Sequence, residues 1–117
     1  MTRMTRRIAF TLLSATLALP ALAQDKVRSL TGNYIAEGRN PDGSAYSGTV
    51  RIEEADGAVA FAWSVRGQTY AGTGMREGRV VTVDWGAETP VVYVVMPGRE
   101  LHGTWGGGTA LERLRRN

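Results

Sequence analysis

From residue 31 to residue 114, apolar and polar positions alternate in short runs, and almost every run stops at a Gly, Pro, Asn or Asp. A period of two marks a strand with one dry and one wet face, because successive side chains point to opposite sides of a sheet. Eight strands are predicted on this basis, over residues 31–38, 46–54, 59–65, 68–75, 80–85, 91–96, 100–105 and 109–114. In the second, Tyr46, Gly48, Val50 and Ile52 share one face while Ser47, Thr49, Arg51 and Glu53 share the other. The same parity collects Val59, Phe61, Trp63 and Val65, then Val81, Val83 and Trp85, then Val91, Tyr93 and Val95, then Leu101, Gly103 and Trp105. These residues are the predicted core. The sixth strand is apolar on both faces, with Val92, Val94 and Met96 opposite Tyr93, and is expected at an interface or under a loop.

The breaks between runs account for the chain reversals. Asn40-Pro41-Asp42-Gly43, Asp56-Gly57, Arg66-Gly67, Arg76-Glu77-Gly78, Pro97-Gly98 and Gly106-Gly107-Gly108 are turn sequences. Glycine in them supplies positive φ, and proline presets the bend. Links this short join neighbouring antiparallel strands. The predicted fold is therefore all-β, a small antiparallel up-and-down β-barrel of about eight strands, with a two-sheet β-sandwich as the alternative. One phrase recurs three times, as Gly43-Ser44-Ala45-Tyr46-Ser47-Gly48-Thr49, Gly67-Gln68-Thr69-Tyr70-Ala71-Gly72-Thr73 and, shifted by one position, Gly98-Arg99-Glu100-Leu101-His102-Gly103-Thr104. Gly48, Gly72 and Gly103 all fall on the inward face, where glycine lets a strand bend sharply or leaves room for a ring from across the core.

Residues 1–23 break this pattern. Arg3, Arg6 and Arg7 precede an apolar stretch over 8–19, Pro20 stops it, and Ala21-Leu22-Ala23 offers a small-x-small site. This is the layout of an export signal, too short to span a bilayer comfortably, with cleavage expected before Gln24. A single barrel domain over 24–117 would remain, periplasmic or secreted, with no membrane span after cleavage. The run Thr5-Arg6-Arg7-Ile8-Ala9-Phe10 is similar to a twin-arginine motif, but its aromatic comes one place late, which favours the general secretory route. Cleavage also changes the charge. Losing those three Arg takes the fourteen Lys and Arg to eleven, equal to the eleven Asp and Glu. With no global excess of positive charge, nucleic acid is not an expected partner. Arg113, Arg115 and Arg116 are read as a solvated basic terminus. The chain has no Cys, so its stability must come from apolar burial rather than disulfides.

Leu30-Thr31-Gly32-Asn33-Tyr34 resembles the opening of avidin-type and lipocalin-type barrels, whose first strand carries a Gly-x-aromatic element that closes the floor. The run formed by Gly32-Asn33-Tyr34, residues 40–52, Trp63, residues 67–74 and Gly103-Thr104-Trp105 is similar to small exported proteobacterial β-barrel proteins of unassigned function, some of them labelled fibronectin-binding. These resemblances imply a barrel and an exported address. Neither implies a ligand site at matched positions.

The chemistry available for catalysis is sparse. The one His, His102, is placed on the outward side of its strand with Glu100 and Thr104, where it has no catalytic partner at motif spacing. There is no His pair or thiolate for a metal, and Ser44, Ser47 and Ser64 stand in no nucleophile elbow. No catalytic residue, metal or cofactor is therefore expected. A carboxylate enzyme would need Asp84, Glu37, Glu53 and Glu112 to converge. Asn40 to Ser44 has oxygen ligands on alternate residues, as calcium loops do, but lacks the later Glu and is read as a hairpin turn.

The aromatic set is the functional lead. Trp63, Trp85, Trp105, Tyr93, Tyr46 and Tyr70 share inward parity and are the candidate ligand-binding residues. They either fill the barrel or line a cup, and the width of an eight-stranded barrel favours filling. The expected function is an exported, non-enzymatic binding module. It would take a small apolar or aromatic ligand near Trp85 and Trp105, or a protein partner through an edge strand or the rim. A periplasmic enzyme inhibitor and a carboxylate-dependent small enzyme are the alternatives.

Overall fold

A computed structural model describes residues 28–117; the expected export signal and its cleavage position lie outside the described residues. Eight strands follow in order: β1 (Gly32–Arg39), β2 (Ala45–Ala55), β3 (Ala58–Val65), β4 (Gln68–Glu77), β5 (Val80–Asp84), β6 (Val91–Val95), β7 (Leu101–Trp105) and β8 (Ala110–Arg116). Each pairs antiparallel with the next, and β8 pairs back onto β1 with Gly38 opposite Glu112 and Ala36 opposite Leu114. The sheet is a closed barrel in simple sequence order. Closure excludes the sandwich. It also leaves no edge strand among the described residues, so pairing of a partner onto an edge, one of the modes expected from sequence, has no strand to use.

Turn chemistry sets the reversals. Asp56-Gly57 and Arg66-Gly67 each place two successive residues at positive φ, the two-residue hairpin geometry whose twist matches that of the flanking strands. Asn40 to Ser44 closes β1 onto β2 through the Gly43 amide donating to the Asn40 carbonyl at 2.8 Å and the Ser44 amide donating to Asp42 Oδ1 at 2.9 Å. It is a hairpin turn, as expected. A short 3-10 turn over Gly106–Gly108 joins β7 to β8.

The alternating parity becomes the inside and outside of the wall. Val50, Ile52, Val59, Phe61, Val81, Val83, Tyr93, Val95, Leu101 and Leu114 are buried, while their strand neighbours face out. Two glycines show why the repeated phrase needs them. A Cβ at Gly48 would collide with the Ser64 carbonyl, and one at Gly103 with the Val92 carbonyl and the Tyr93 ring. The strands coil so tightly there that only glycine fits. β6 has one buried face and one partly open face: Val94, opposite Val80, is exposed, so the apolar outer side of this strand is not covered by a loop.

The two ends differ. At one, Leu30 enters the barrel as a plug and is 1% exposed. The Tyr34 hydroxyl donates to the Leu30 carbonyl at 2.6 Å, and the Leu30 amide donates to Glu54 Oε1 at 2.8 Å. Arg76 Nη1 pairs with the same Glu54 oxygen at 3.1 Å and donates to the Arg28 carbonyl at 2.7 Å. Arg99 and Arg116 both donate to the Ser29 carbonyl, and the Arg116 guanidinium lies 5.1 Å from the centre of the Tyr34 ring. Arg116 stays exposed, as expected of a basic terminus, but the final strand carries it onto the barrel end, where its guanidinium also caps the plug. Arg113 does face water, where it pairs with Glu37.

Candidate functional site

The opposite end, where β1–β2, β3–β4, β5–β6 and β7–β8 connect, is open. Odd-to-even links of an up-and-down barrel share one rim, so the residues near them converge although they are far apart in sequence. Tyr46, Trp63, Tyr70, Trp85 and Trp105 line a cavity of about 370 Å³ there, with Val65, Val91, Asn40, Gln68, Arg66 and Glu112. Five of the six candidate rings are brought together. The sixth, Tyr93, is fully buried and stacks on Phe61 at 5.5 Å between ring centres, while Trp63 also packs against Phe61 at 5.3 Å. Filling and lining, which stood as alternatives in sequence, occupy different halves of one interior.

Around the rim the rings make a continuous edge-to-face belt. Tyr70 meets Trp85 at 6.2 Å, Trp85 meets Trp105 at 5.7 Å and Trp105 meets Tyr46 at 6.3 Å. Such contacts fix ring orientation beyond what burial alone does. The β5–β6 loop holds the belt in place, with Trp85 Nε1 donating to the Thr89 carbonyl at 3.2 Å and the Gly107 amide to Thr89 Oγ1 at 3.0 Å.

At the floor stands Glu112, only 6% exposed. Its Oε1 accepts from the Tyr46 hydroxyl at 2.6 Å, and its Oε2 accepts from the Tyr93 hydroxyl at 2.5 Å and from Trp63 Nε1 at 3.0 Å. Behind these donors come others. Trp105 Nε1 donates to the Tyr46 oxygen at 3.0 Å, and Trp63 Nε1 also reaches the Tyr93 oxygen at 3.3 Å. Each tyrosine oxygen receives an indole proton and sends its own proton to Glu112. The direction of every bond is that demanded by an acceptor-only carboxylate. Burial first, and then the charge and hydrogen bonds of Glu112, push the hydroxyl ionisation of Tyr93 and Tyr46 well above its ordinary range, so both remain donors.

Glycine makes this geometry possible. Glu112 on β8 is flanked in the sheet by Gly38 on β1 and Gly103 on β7. Tyr46 pairs with Gly38 and Tyr93 with Gly103, so the row Tyr46, Gly38, Glu112, Gly103, Tyr93 crosses five strands. A Cβ at Gly38 would enter the Tyr46 ring, as one at Gly103 would enter the Tyr93 ring. Each ring lies flat over a glycine to reach the carboxylate from its own side.

In the sequence Glu112 stands out only as one of the four carboxylates whose convergence an enzyme would need. They do not converge: Asp84 and Glu53 are exposed, and Glu37 pairs on the outer wall with Arg113 at 2.5 Å. Among the described residues, no three His, Cys, Asp or Glu side chains are grouped to hold a metal. His102 lies on the outer wall, with its Nε2 2.8 Å from Glu100 Oε1. A second, wider depression of about 720 Å³ shares Tyr46, Arg66 and Glu112 with the cup but runs over outward residues such as Glu37, His102 and Arg113. The smaller cavity is the better candidate, because inward side chains wall it.

No family model matches the chain, and no curated protein matches it. Among solved structures it is similar to a redesigned beta barrel, with a TM-score of 0.54 and 13% identity over 75% of this chain and 91% of that one. At that identity the likeness shows the barrel fold alone. The aromatic cup and its carboxylate must be interpreted from their own geometry.

Proposed function

We propose that the chain is an exported, non-enzymatic binding module that holds a small ligand with an apolar or aromatic body in the open end of its barrel. One observation carries this reading. A cavity of about 370 Å³ is ringed by Tyr46, Trp63, Tyr70, Trp85 and Trp105 around a single buried carboxylate, while the other end of the same barrel is plugged by Leu30. Small-molecule sites have this character, concave and mostly apolar with few fixed polar groups, at volumes from about 300 Å³ upward. Three donors engage Glu112 and no second carboxylate faces it in the cup, which favours anchoring over proton transfer. The exported address rests on the signal-like residues 1–23, and the charged outer wall, with Arg51, Glu53, Glu37 and Arg113 facing out, suits a barrel surrounded by water.

Indole fluorescence reports on the cup directly, since all three Trp line it. Titration with small aromatic compounds of positive, neutral and negative charge is expected to give a saturable change for at least one class. Backbone NMR shifts should map that change to Tyr46, Tyr70 and the loop after Trp85. Shifts confined to the outer wall, or no saturable response from any class, would overturn the proposal.

A further inference from the structure

The barrel holds two carboxylates out of bulk water, one near each end, and treats them differently. Glu54, at the plugged end, is paired with Arg76 at 3.1 Å, with side chains only 11% and 6% exposed. Glu112, at the open end, has neutral donors only. Among the described residues no Lys, Arg or His nitrogen lies within 4.0 Å of it. Hydrogen bonds from Tyr and Trp orient a carboxylate and stabilise its charge, but they do not cancel it, and a buried charge ordinarily has a counter-charge. One acceptor direction on Oε1 also stays open, because a carboxylate oxygen has two lone pairs and Oε1 receives only Tyr46.

The same cavity is lined by electron-rich rings. The Trp85 indole N–H is turned into the loop, toward the Thr89 carbonyl, and that of Trp105 toward Tyr46. With both indole donors spent on the protein, these rings have only faces and carbon edges to offer the cavity. Ring faces carry negative potential and attract cations, most of all where water is excluded. Aromatic faces and an uncompensated carboxylate share one preference. Each is indifferent or hostile to an anion, modestly useful to a neutral molecule and strongly favourable to a positive charge with an apolar coat.

We infer that the cup selects an organic cation, a quaternary ammonium or protonated amine on an apolar body, with Glu112 as its counter-charge and Trp85 and Trp105 as its cage. The inference rests on the cup being a ligand site. Arg66, exposed at the rim and held at positive φ, is the one cationic residue lining the cavity. It makes no ion pair with the carboxylate and is exposed to solvent, so it leaves the charge of Glu112 uncancelled and can meet an anionic or polar tail of the ligand.

The test compares three probes of similar size: benzyltrimethylammonium, its uncharged carbon isostere neopentylbenzene, and phenylacetate, each followed by NMR shifts of the intact barrel. The ammonium is expected to bind at least about tenfold more tightly than the isostere, with phenylacetate weakest. Glu112→Gln should remove most of that preference while leaving the isostere's affinity within about twofold. Trp85→Leu keeps apolar bulk without an aromatic face and removes no hydrogen bond of the Glu112 network, since the Trp85 indole donates to Thr89, so it serves even if the Gln variant fails to fold. It should weaken the ammonium several-fold and the isostere little. Equal binding of ammonium and isostere, or tighter binding of phenylacetate, would overturn the cation selectivity while leaving the cup as a ligand site. Binding by none of the three would overturn both.

Discussion

The ends of this barrel solve the same problem in opposite ways. Each contains a carboxylate, a buried tyrosine and a set of long side chains, yet one end is filled by the protein's own chain and the other is left concave. At the plugged end, Leu30 occupies the axis, and Arg76, Arg99 and Arg116 tie residues 28–31 to the barrel, so that Glu54 has its cation. At the open end, aromatic rings stand around the axis without crossing it, and Glu112 is held by Tyr46, Tyr93 and Trp63 alone. Plug and arginines serve stability. A cup floored by an unpaired charge is costly in the fold's own terms, and that cost is the strongest argument that the open end exists for something outside the chain.

The largest expected effect is at the plugged end. Arg76→Ala would leave Glu54 without its cation and free the Arg28 carbonyl, with a loss of about 3 kcal/mol in chemical denaturation. Ligand affinity in the cup should be unchanged, and a matching loss of affinity would break the division of labour between the ends. Next comes the row of glycines under the tyrosines. Gly103→Ala would push a methyl group against Tyr93 and the Val92 carbonyl, which should cost about 2 kcal/mol. It should also lengthen the Tyr93 to Glu112 bond, seen as a changed Tyr93 ring signal. Gly98→Ala is the control, because no atom lies within 4 Å of the added carbon; its denaturation midpoint should barely move.

The smallest effect distinguishes the ends by pH. Burial raises the ionisation of both Tyr34 and Tyr93 above the ordinary 10.0, but Arg116 beside Tyr34 opposes the rise while Glu112 beside Tyr93 adds to it. A tyrosine that keeps its proton longer in the fold than in the unfolded chain contributes stability that is complete below pH 10. That contribution is lost as pH rises further, by about 1.4 kcal/mol per pH unit for each such group. The denaturation free energy should therefore fall with rising pH only above about 10. Tyr34 should ionise before Tyr93 when the ring carbons are followed by NMR. The reverse order would mean that Glu112 does not act on Tyr93 as a charge.

Much of the barrel is readable in the chain because period two and turn chemistry are local signals. All eight expected strands form with ends displaced by at most two residues, and the inward sets on β2, β3, β5, β6 and β7 match the buried faces. The five rings of the cup were legible for the same reason, since parity alone places them inside. The last strand shows where that reasoning fails. Leu111 and Leu114 lie on opposite parities, so alternation cannot say which face of β8 is dry. In the structure Leu114 is buried and Leu111 is 54% exposed, which carries Glu112 inside with Leu114.

Local pattern thus determined that the chain makes eight antiparallel strands, which side chains share a face and where glycine must stand, because each depends on residues a few positions apart. Only closure of β8 onto β1 decided the rest. Register across that seam sets Glu112, already beside Gly103 and Tyr93 on the neighbouring strands, against Gly38, lets Tyr46 reach it from the other side, and turns Arg116 onto the plug. These contacts join residues up to 87 positions apart, and no alternation within a single strand can encode a partner at that range.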